Sequence, residues 1–144
     1  MLRIMVALDQ TDKDEPMLRA AGDLARAAGA DLMLVNVFSP VLDLGHTPPG
    51  PREQQERQVE AEREAYLRDK AQSIRDVASR TIVGRRAQPE ELHEALARLV
   101  REHQADILAV ASKRVTNLAG VLLGSTAQLV LRSSPCPVLV VRPE

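Results

Sequence analysis

The sequence contains almost no aromatic side chains. Among its 144 residues there is one tyrosine, Tyr66, one phenylalanine, Phe38, and no tryptophan. Proteins that bind single-stranded nucleic acid stack the bases on aromatic side chains, and flavin sites often use aromatic stacking in the same way. The shortage of aromatics therefore argues against a single-strand nucleic-acid binder and against a flavin electron carrier.

The sequence also lacks an excess of charge of either sign. It has 19 basic and 20 acidic residues, which give a net charge of −1, and the two signs alternate along the chain. A protein that binds nucleic acid or an anionic membrane through its surface needs a basic patch. We therefore expect neither nucleic acid nor a membrane as a partner.

Cysteine and long apolar runs are equally scarce. The one cysteine, Cys136, cannot form an internal disulfide, and the N-terminus has neither the basic nor the apolar region of a secretion signal. Apolar runs reach only the length of a strand, far below the roughly 20 residues that cross a bilayer. These absences favour a cytoplasmic protein. The three histidines have no metal-ligand spacing, so we predict no structural metal.

Apolar segments and helical patterns alternate along the sequence. Continuous apolar runs predict parallel strands that are covered on both faces, and apolar residues three and four apart predict helices. A stretch rich in proline and glycine over 39–53 interrupts the alternation and predicts a flexible loop. The predicted strands are Leu2–Leu8, Leu32–Phe38, Thr81–Val83, Ile107–Ala111 and Val138–Val141; the predicted helices are one with Pro16 in its first turn and Gly29 just past its end, Gln54–Arg80, one opened by Pro89, and Ser125–Arg132.

This order of elements predicts an α/β fold. Strands that alternate with helices form a parallel sheet with helices on both faces, joined by right-handed crossovers. The length suits a single domain over 1–144 with an open sheet of five mainly parallel strands. Ligands of such sheets bind beyond the carboxyl ends of the strands, where the strand order reverses. Asp9, Phe38 and the loop after Ala111 lie at such ends, so they can converge.

One segment offers a site for an anion. Ile107–Ala111 leads into a loop, after which Gly124, Ser125 and Thr126 open a short helix. The free backbone amides and the dipole at the start of a helix attract a negative group such as a phosphate. Ser125 also has a structural interpretation as the N-cap of that helix, and the two roles are compatible.

Four pieces of the chain, taken together, resemble the universal stress protein family. They span nearly the whole length in the order and spacing of that family: Ile4–Asp9, Leu34–Val37, Ala105–Val110, and Leu123–Thr126 continuing to Pro135–Arg142. Any single piece would be a weak signal, but their combination is specific. The resemblance implies a small stress-response regulatory or binding protein with a Rossmann-like fold, similar to that of the adenine-nucleotide alpha hydrolases, and the strand order 3-2-1-4-5.

The same resemblance implies an adenine-nucleotide pocket at the carboxyl ends of strands one, two and four. In nucleotide-binding members of the family a Gly-x2-Gly-x9-Gly-Ser/Thr loop wraps the phosphates of ATP, and an aspartate after strand one, here Asp9, meets the adenosine. The three glycine positions of that loop fall on Ala111, Arg114 and Gly124 in this sequence. The candidate ligand-binding residues are Ala7, Asp9, Val37, Ala111, Lys113, Arg114, Gly124, Ser125 and Thr126.

The two departures from glycine allow two interpretations. In one, Lys113 and Arg114 close the loop, the pocket is vestigial, and the protein acts through its dimer and through protein partners. In the other, the two cations supply charge-assisted contacts to the phosphates of ATP, accompanied by a magnesium ion that phosphate and water chiefly hold. Asp9 and Val37 likewise have structural alternatives, as a turn residue and as a core residue.

The resemblance further implies a homodimer along the last strand, Val138–Val141, which suits an apolar edge strand that needs cover.

An enzyme is the less favoured interpretation, because the sequence has no Gly-x4-Gly-Lys-Ser/Thr loop and no motif that places a base beside a nucleophile. Slow ATP hydrolysis stays open as an alternative. A phosphoacceptor domain is not supported, since Gly84, Arg85 and Arg86 stand where its acidic residues belong.

Overall fold

Strands and helices alternate along the chain in the computed structural model, which describes residues 1–40, 42–45, 47–112 and 123–142. Within these residues the strands are β1 (Arg3–Ala7), β2 (Asp31–Phe38), β3 (Ser79–Arg85), β4 (Ile107–Ala111) and β5 (Val138–Val141). The helices of the same residues are α1 (Asp14–Ala28), α2 (Arg52–Gln72), α3 (Leu92–His103) and α4 (Ser125–Ser133). The predicted order of elements is confirmed.

The strands form one sheet in the order β3-β2-β1-β4-β5, and every pairing between neighbours is parallel. Val6 of β1 lies beside Leu34 of β2 on one side and beside Ala109 of β4 on the other. The α/β fold and its strand order are therefore confirmed. The order of the strands reverses between β1 and β4, so a crevice opens beyond the carboxyl ends of these two strands.

Helices cover both faces of the sheet, which explains why its central strands are apolar at nearly every position. Ile4 and Val6 of β1 pack with α1 and with Leu67 of α2, whereas Met5 packs on the opposite face with α3 and α4. Successive side chains of a strand point to opposite faces, so a strand between two helical layers needs an apolar residue at every position. No helix among the described residues is long and apolar enough to cross a membrane.

Helix α1 begins and ends where the sequence predicts. Pro16 lies in its first turn, and Met17, Leu18 and Ala21 are buried against the sheet. Gly29 follows the last residue with a φ of 66°, and its N–H donates to the carbonyl of Ala25. This left-handed conformation is open to glycine without strain, so Gly29 stops the helix and turns the chain into β2.

The boundary between α2 and β3 differs from the prediction. The predicted helix Gln54–Arg80 is too long at its C-terminal end, because α2 ends at Gln72, and the predicted strand Thr81–Val83 is too short, because β3 spans Ser79–Arg85. Ile74 and Val77 are buried, but they lie in the turn that joins the two elements. Their spacing therefore reflects the burial of both side chains and does not show that the helix continues. β3 pairs with β2 from Leu32 to Phe38, and this pairing extends β3 beyond Thr81–Val83 so that it includes Arg80 and Arg85.

The start of α3 also differs from the prediction. The helix begins at Leu92 rather than at Pro89. Glu91 and Glu94 form a capping box, in which the N–H of Glu91 donates to Oε1 of Glu94 at 2.9 Å. This reciprocal cap satisfies the free amides of the first turn and sets the start of the helix. Pro89 lies in the turn before it.

Candidate functional site

A cleft of about 330 Å³ lies beyond the carboxyl ends of β1, β2 and β4, at the point where the strand order reverses. The structure brings five of the predicted residues together in its lining: Ala7, Asp9, Val37, Ala111 and Thr126. Gly124 and Ser125 directly precede Thr126 at the start of α4. Lys113 and Arg114 lie outside the described residues.

Asp9 directly follows the end of β1, and its side chain is half exposed. Its Oδ1 accepts hydrogen bonds from the backbone N–H and the hydroxyl of Thr11, at 3.1 Å and 2.5 Å, and its Oδ2 lies 3.5 Å from Nζ of Lys13. Burial alone raises the pKa of Asp9, but the hydrogen bonds from Thr11 and the charge of Lys13 outweigh it and hold the pKa below its usual value. Asp9 is thus both a turn residue and an ionised acceptor in the cleft.

Asp14 is a further residue of this cleft that sequence reasoning missed. It is the first residue of α1 and is only 1% exposed. Its Oδ1 accepts the N–H of Asp9 at 3.0 Å, and its Oδ2 accepts the N–H of Gln10 at 2.9 Å and the hydroxyl of Tyr66. Burial raises the pKa of Asp14, and these hydrogen bonds only partly oppose that shift. The one signal in the sequence is an acidic residue in the first turn of a predicted helix, where it commonly interacts with the dipole.

Asn36 and Arg63 were also missed as cleft residues. Asn36 is the one polar residue between Leu32 and Phe38 in β2, and it is 3% exposed. Its Nδ2 donates to the carbonyl of Leu8 at 2.9 Å, while its Oδ1 accepts from Nη1 of Arg63 at 2.6 Å. Arg63 also lies 3.7 Å from Asp43 of the loop between β2 and α2. A polar interruption in a buried strand is the signal that could have found this pair, because a buried amide needs partners.

Val37 lies at the border between the cleft and the core. Its side chain is partly buried, packs with the α3 and α4 layer, and lines the cleft as well. A Cβ atom added to Gly84 of the neighbouring strand would lie 3.3 Å from Cγ2 of Val37. The core and cleft interpretations of Val37 are therefore compatible.

Helix α4 presents its N-terminus to the cleft through Thr126. Gly124 occupies the N-cap position with φ −64° and ψ 163°, and no side chain of the described residues caps the helix there. The structural interpretation of Ser125 as the N-cap is wrong, because Ser125 is the first helical residue. The side chains of Ser125 and Thr126 are exposed. The first amides of a helix have no partner within it, so α4 offers donors and positive potential at this end of the sheet.

A larger groove of about 470 Å³ lies at the opposite, amino ends of the strands, where Arg3, Asp31 and Arg80 line it. It contains none of the predicted site residues, and parallel sheets bind ligands at the other end. Among the described residues no group of three or more His, Cys, Asp or Glu side chains is placed to hold a metal ion. The cleft at the carboxyl ends is therefore the candidate site.

The fold and the cleft define an α/β domain with a ligand-sized opening at its topological switch point. The model of the universal stress protein family matches residues 1–142, and the chain belongs to this family. A relative from Thermus aquaticus, described as the universal stress protein in QAH/OAS sulfhydrylase 3'region, is 29% identical over 140 residues, which cover 96% of this chain and 97% of that protein. The family membership that the sequence motifs imply is confirmed.

Solved structures of the family share this fold. A universal stress protein in complex with cAMP is 25% identical, with a TM-score of 0.62 over 99% of this chain and 98% of that chain. The universal stress protein from Archaeoglobus fulgidus in complex with dAMP is 18% identical, with a TM-score of 0.61 over 98% of both chains. Structural neighbours of this chain thus include nucleotide-bound members of the family.

Proposed function

We propose that the cleft at the carboxyl ends of β1, β2 and β4 binds an adenine nucleotide, as a small binding protein of the stress response would. The observation that carries this proposal is the convergence of Asp9, Val37, Ala111 and Thr126 around one cleft of about 330 Å³ at the switch point of the sheet. Pockets for small ligands begin at roughly 300 Å³. The complexes of two family members with cAMP and dAMP support adenine as the base.

The charges of the cleft determine the orientation of the bound ligand. On the β1 side the ionised Asp9 lies with Asp14, and a carboxylate here accepts from ribose hydroxyls and repels phosphate. On the α4 side the amides and hydroxyls of Gly124, Ser125 and Thr126 suit phosphate oxygens. The nucleoside therefore binds between Ala7, Asp9 and Val37, and the phosphates bind at the start of α4.

The proposed ligand extends to ATP. Ala111 and Arg114 replace two of the three glycines of the family's phosphate loop. In this proposal the cations Lys113 and Arg114 compensate for that loss by binding the phosphate chain. A magnesium ion would be held by the phosphates and water, as is usual for this ion.

Calorimetric titration of AMP, ADP and ATP, with and without magnesium, tests the proposal. Asp9→Asn keeps an acceptor for the Thr11 turn but removes the charge, and a hydrogen bond to a charged group contributes about 1.5–3 kcal/mol. A neutral hydrogen bond contributes about 1 kcal/mol, so we expect Asp9→Asn to weaken AMP binding about fivefold to tenfold. Asp31→Asn is the matched control, because Asp31 is a carboxylate at the opposite end of the sheet and should leave the affinity unchanged. Equal affinities in the two variants would contradict the assignment of Asp9.

The variant Arg114→Gly separates the two interpretations of the phosphate loop. If Lys113 and Arg114 bind the phosphates, the substitution weakens ATP binding more than AMP binding. If Arg114 blocks the loop, the wild type binds no nucleotide and the variant does. Failure of both proteins to bind any nucleotide would overturn the proposed function.

The proposal includes a homodimer formed along β5. This strand lies at the edge of the sheet, where β4 is its neighbour on one side, and its residues Val138, Leu139 and Val140 are only partly buried. Apolar edge strands expose unpaired N–H and C=O groups and need cover. The following helix α4 also has two exposed apolar side chains, Leu129 and Leu131.

A further inference from the structure

We propose that helix α2 positions Asp9 for the nucleotide through the side-chain pair Tyr66 and Asp14, which are positioning residues of the cleft and not ligand contacts. The inference rests on the proposed function, since ligand affinity is what the pair controls. It concerns two residues, one from α2 and one from α1, that lie 52 positions apart in the sequence.

The carboxylate of Asp14 forms hydrogen bonds with the loop that contains Asp9. It is 1% exposed and accepts the N–H of Asp9 at 3.0 Å and the N–H of Gln10 at 2.9 Å. Gln10 has a φ of 63°, in the left-handed region that side chains disfavour. A backbone held in this region needs compensating contacts, and Asp14 provides them by accepting the N–H groups of Asp9 and Gln10.

The hydroxyl of Tyr66 holds Asp14 in this position. It donates to Oδ2, the same oxygen that accepts the N–H of Gln10. Because the two carboxylate oxygens together receive three donors, rotation of the Asp14 side chain away from the loop breaks all of them. Tyr66 does not line the cleft, so its effect on a ligand passes through Asp14 and the Asp9 loop.

A second contact from the same face of α2 reaches the same loop. Arg63 lies three residues before Tyr66, and residues three apart are neighbours on a helix surface. Arg63 donates to Asn36, and Asn36 donates to the carbonyl of Leu8 directly before Asp9. Helix α2 therefore holds the exit of β1 on both sides of Asp9. Among its described residues only Val59 and Leu67 are buried, so polar contacts account for much of its attachment.

Tyr66→Phe tests the inference with the smallest change, because the ring remains and only the hydroxyl is lost. We expect this variant to bind AMP about threefold more weakly, a smaller loss than for Asp9→Asn, because the lost hydrogen bond lies within the protein and only part of its contribution reaches the ligand. Thr81→Val is the matched control, since Thr81 also donates its hydroxyl to a carboxylate of α2, that of Glu64 at 2.6 Å, away from the cleft. The control should bind AMP with the wild-type Kd.

A double-mutant cycle distinguishes positioning from general destabilisation. If Tyr66 acts through Asp9, then Tyr66→Phe weakens AMP binding in the wild type but has little further effect in Asp9→Asn. If Tyr66→Phe weakens binding by the same factor in both backgrounds, or no more than Thr81→Val does, the inference is overturned.

Hydrogen exchange of the Asp9 and Gln10 amides tests the pair without any ligand. We expect these two amides to exchange faster in ligand-free Tyr66→Phe than in the wild type or in Thr81→Val, because Asp14 is then free to leave the loop. Unchanged exchange would overturn the inference. A wild type that binds no nucleotide but shows this difference in exchange would overturn the proposed function alone and support the role of Tyr66 in holding the loop.

Discussion

Nη1 of Arg63 lies 2.6 Å from Oδ1 of Asn36 and donates a hydrogen bond to it at the edge of the cleft. The other end of the Asn36 amide donates to the carbonyl of Leu8 at 2.9 Å. A buried amide thus joins a cation from α2 to the backbone at the exit of β1. Because both ends of this amide have partners, its burial within an apolar strand is compensated.

Replacement of Asn36 by leucine should destabilise the fold. Leucine has a similar size, but it leaves Arg63 without this acceptor and the Leu8 carbonyl without this donor. An unsatisfied buried polar group costs about 1–3 kcal/mol, so we expect the free energy of unfolding to fall by about that amount. Urea unfolding measures this change. A variant as stable as the wild type would show that water replaces the lost partners.

The fold was predictable because its signals are local. Each face of the sheet is covered, so β1 and β2 are apolar at nearly every position, and Gly29 marks the end of α1 through its own backbone conformation. The boundary at Gln72 was not predictable in this way. Ile74 and Val77 continue a helical spacing, and only the pairing of β3 with β2 shows that the helix has already ended.

The candidate site was predictable only where topology determines it. Asp9 and Ala111 converge because the carboxyl ends of parallel strands meet at one edge. Asp14, Tyr66 and Arg63 were not identified, because their contacts join residues that are far apart in sequence. Helical spacing indicates that Tyr66 faces the protein interior, but it does not indicate which carboxylate receives its hydroxyl.

Replacement of Gly84 by alanine should destabilise the sheet. A Cβ atom at this position would lie 2.7 Å from Cδ1 of Leu99 in α3 and 3.3 Å from Cγ2 of Val37. Leu99 is 3% exposed, so its side chain has little room to move. Overpacking of this kind costs about 1–3 kcal/mol, which thermal or urea unfolding will measure.

The variant Leu99→Ala provides the control for that clash. It removes the atom that the new methyl group would meet, so Gly84→Ala should cost less in the Leu99→Ala background than in the wild type. Equal costs in the two backgrounds would show that the contact between α3 and β3 is not the cause.

Tyr66 should titrate at higher pH than an ordinary tyrosine. Burial, the hydrogen bond to Asp14 and the negative charge of Asp14 raise the pKa of Tyr66 above its usual value of about 10. The stability that neutral Tyr66 contributes is therefore fully present below about pH 10 and is lost as the pH rises through the higher pKa of the folded protein. Near-ultraviolet absorbance measures the ionisation directly, because Tyr66 is the one tyrosine and there is no tryptophan.

The variant Asp14→Asn identifies the cause of that shift. It removes the negative charge and replaces one of the two carboxylate oxygens but leaves Tyr66 in place, so the titration midpoint should move down towards the ordinary value. A midpoint that stays at the wild-type value would show that burial alone raises the pKa of Tyr66.

The proposed dimer makes a prediction about one backbone amide of β5. The carbonyl of Pro137 accepts the N–H of Leu108 in β4 at 3.0 Å, and the carbonyl of Val141 accepts the N–H of Ser112, directly after β4, at 2.8 Å, so both carbonyls face β4. In a parallel strand the N–H and C=O of one residue point to the same side, and those of the next residue point to the other side. Val140 therefore directs its N–H away from β4, towards the edge where a second copy of the chain would pair.

Replacement of Val140 by proline should abolish the dimer and preserve the monomer fold. Proline removes the outward N–H, and edge strands tolerate it where no ladder hydrogen bond is lost. Val140→Ala is the control, because it shortens the side chain but keeps the N–H. Sedimentation equilibrium should give a dimer for the wild type, a dimer for Val140→Ala and a monomer for Val140→Pro, with unchanged circular dichroism. A wild type that is monomeric over a broad concentration range would contradict the dimer, and a dimeric Val140→Pro would contradict pairing through the outward N–H of Val140.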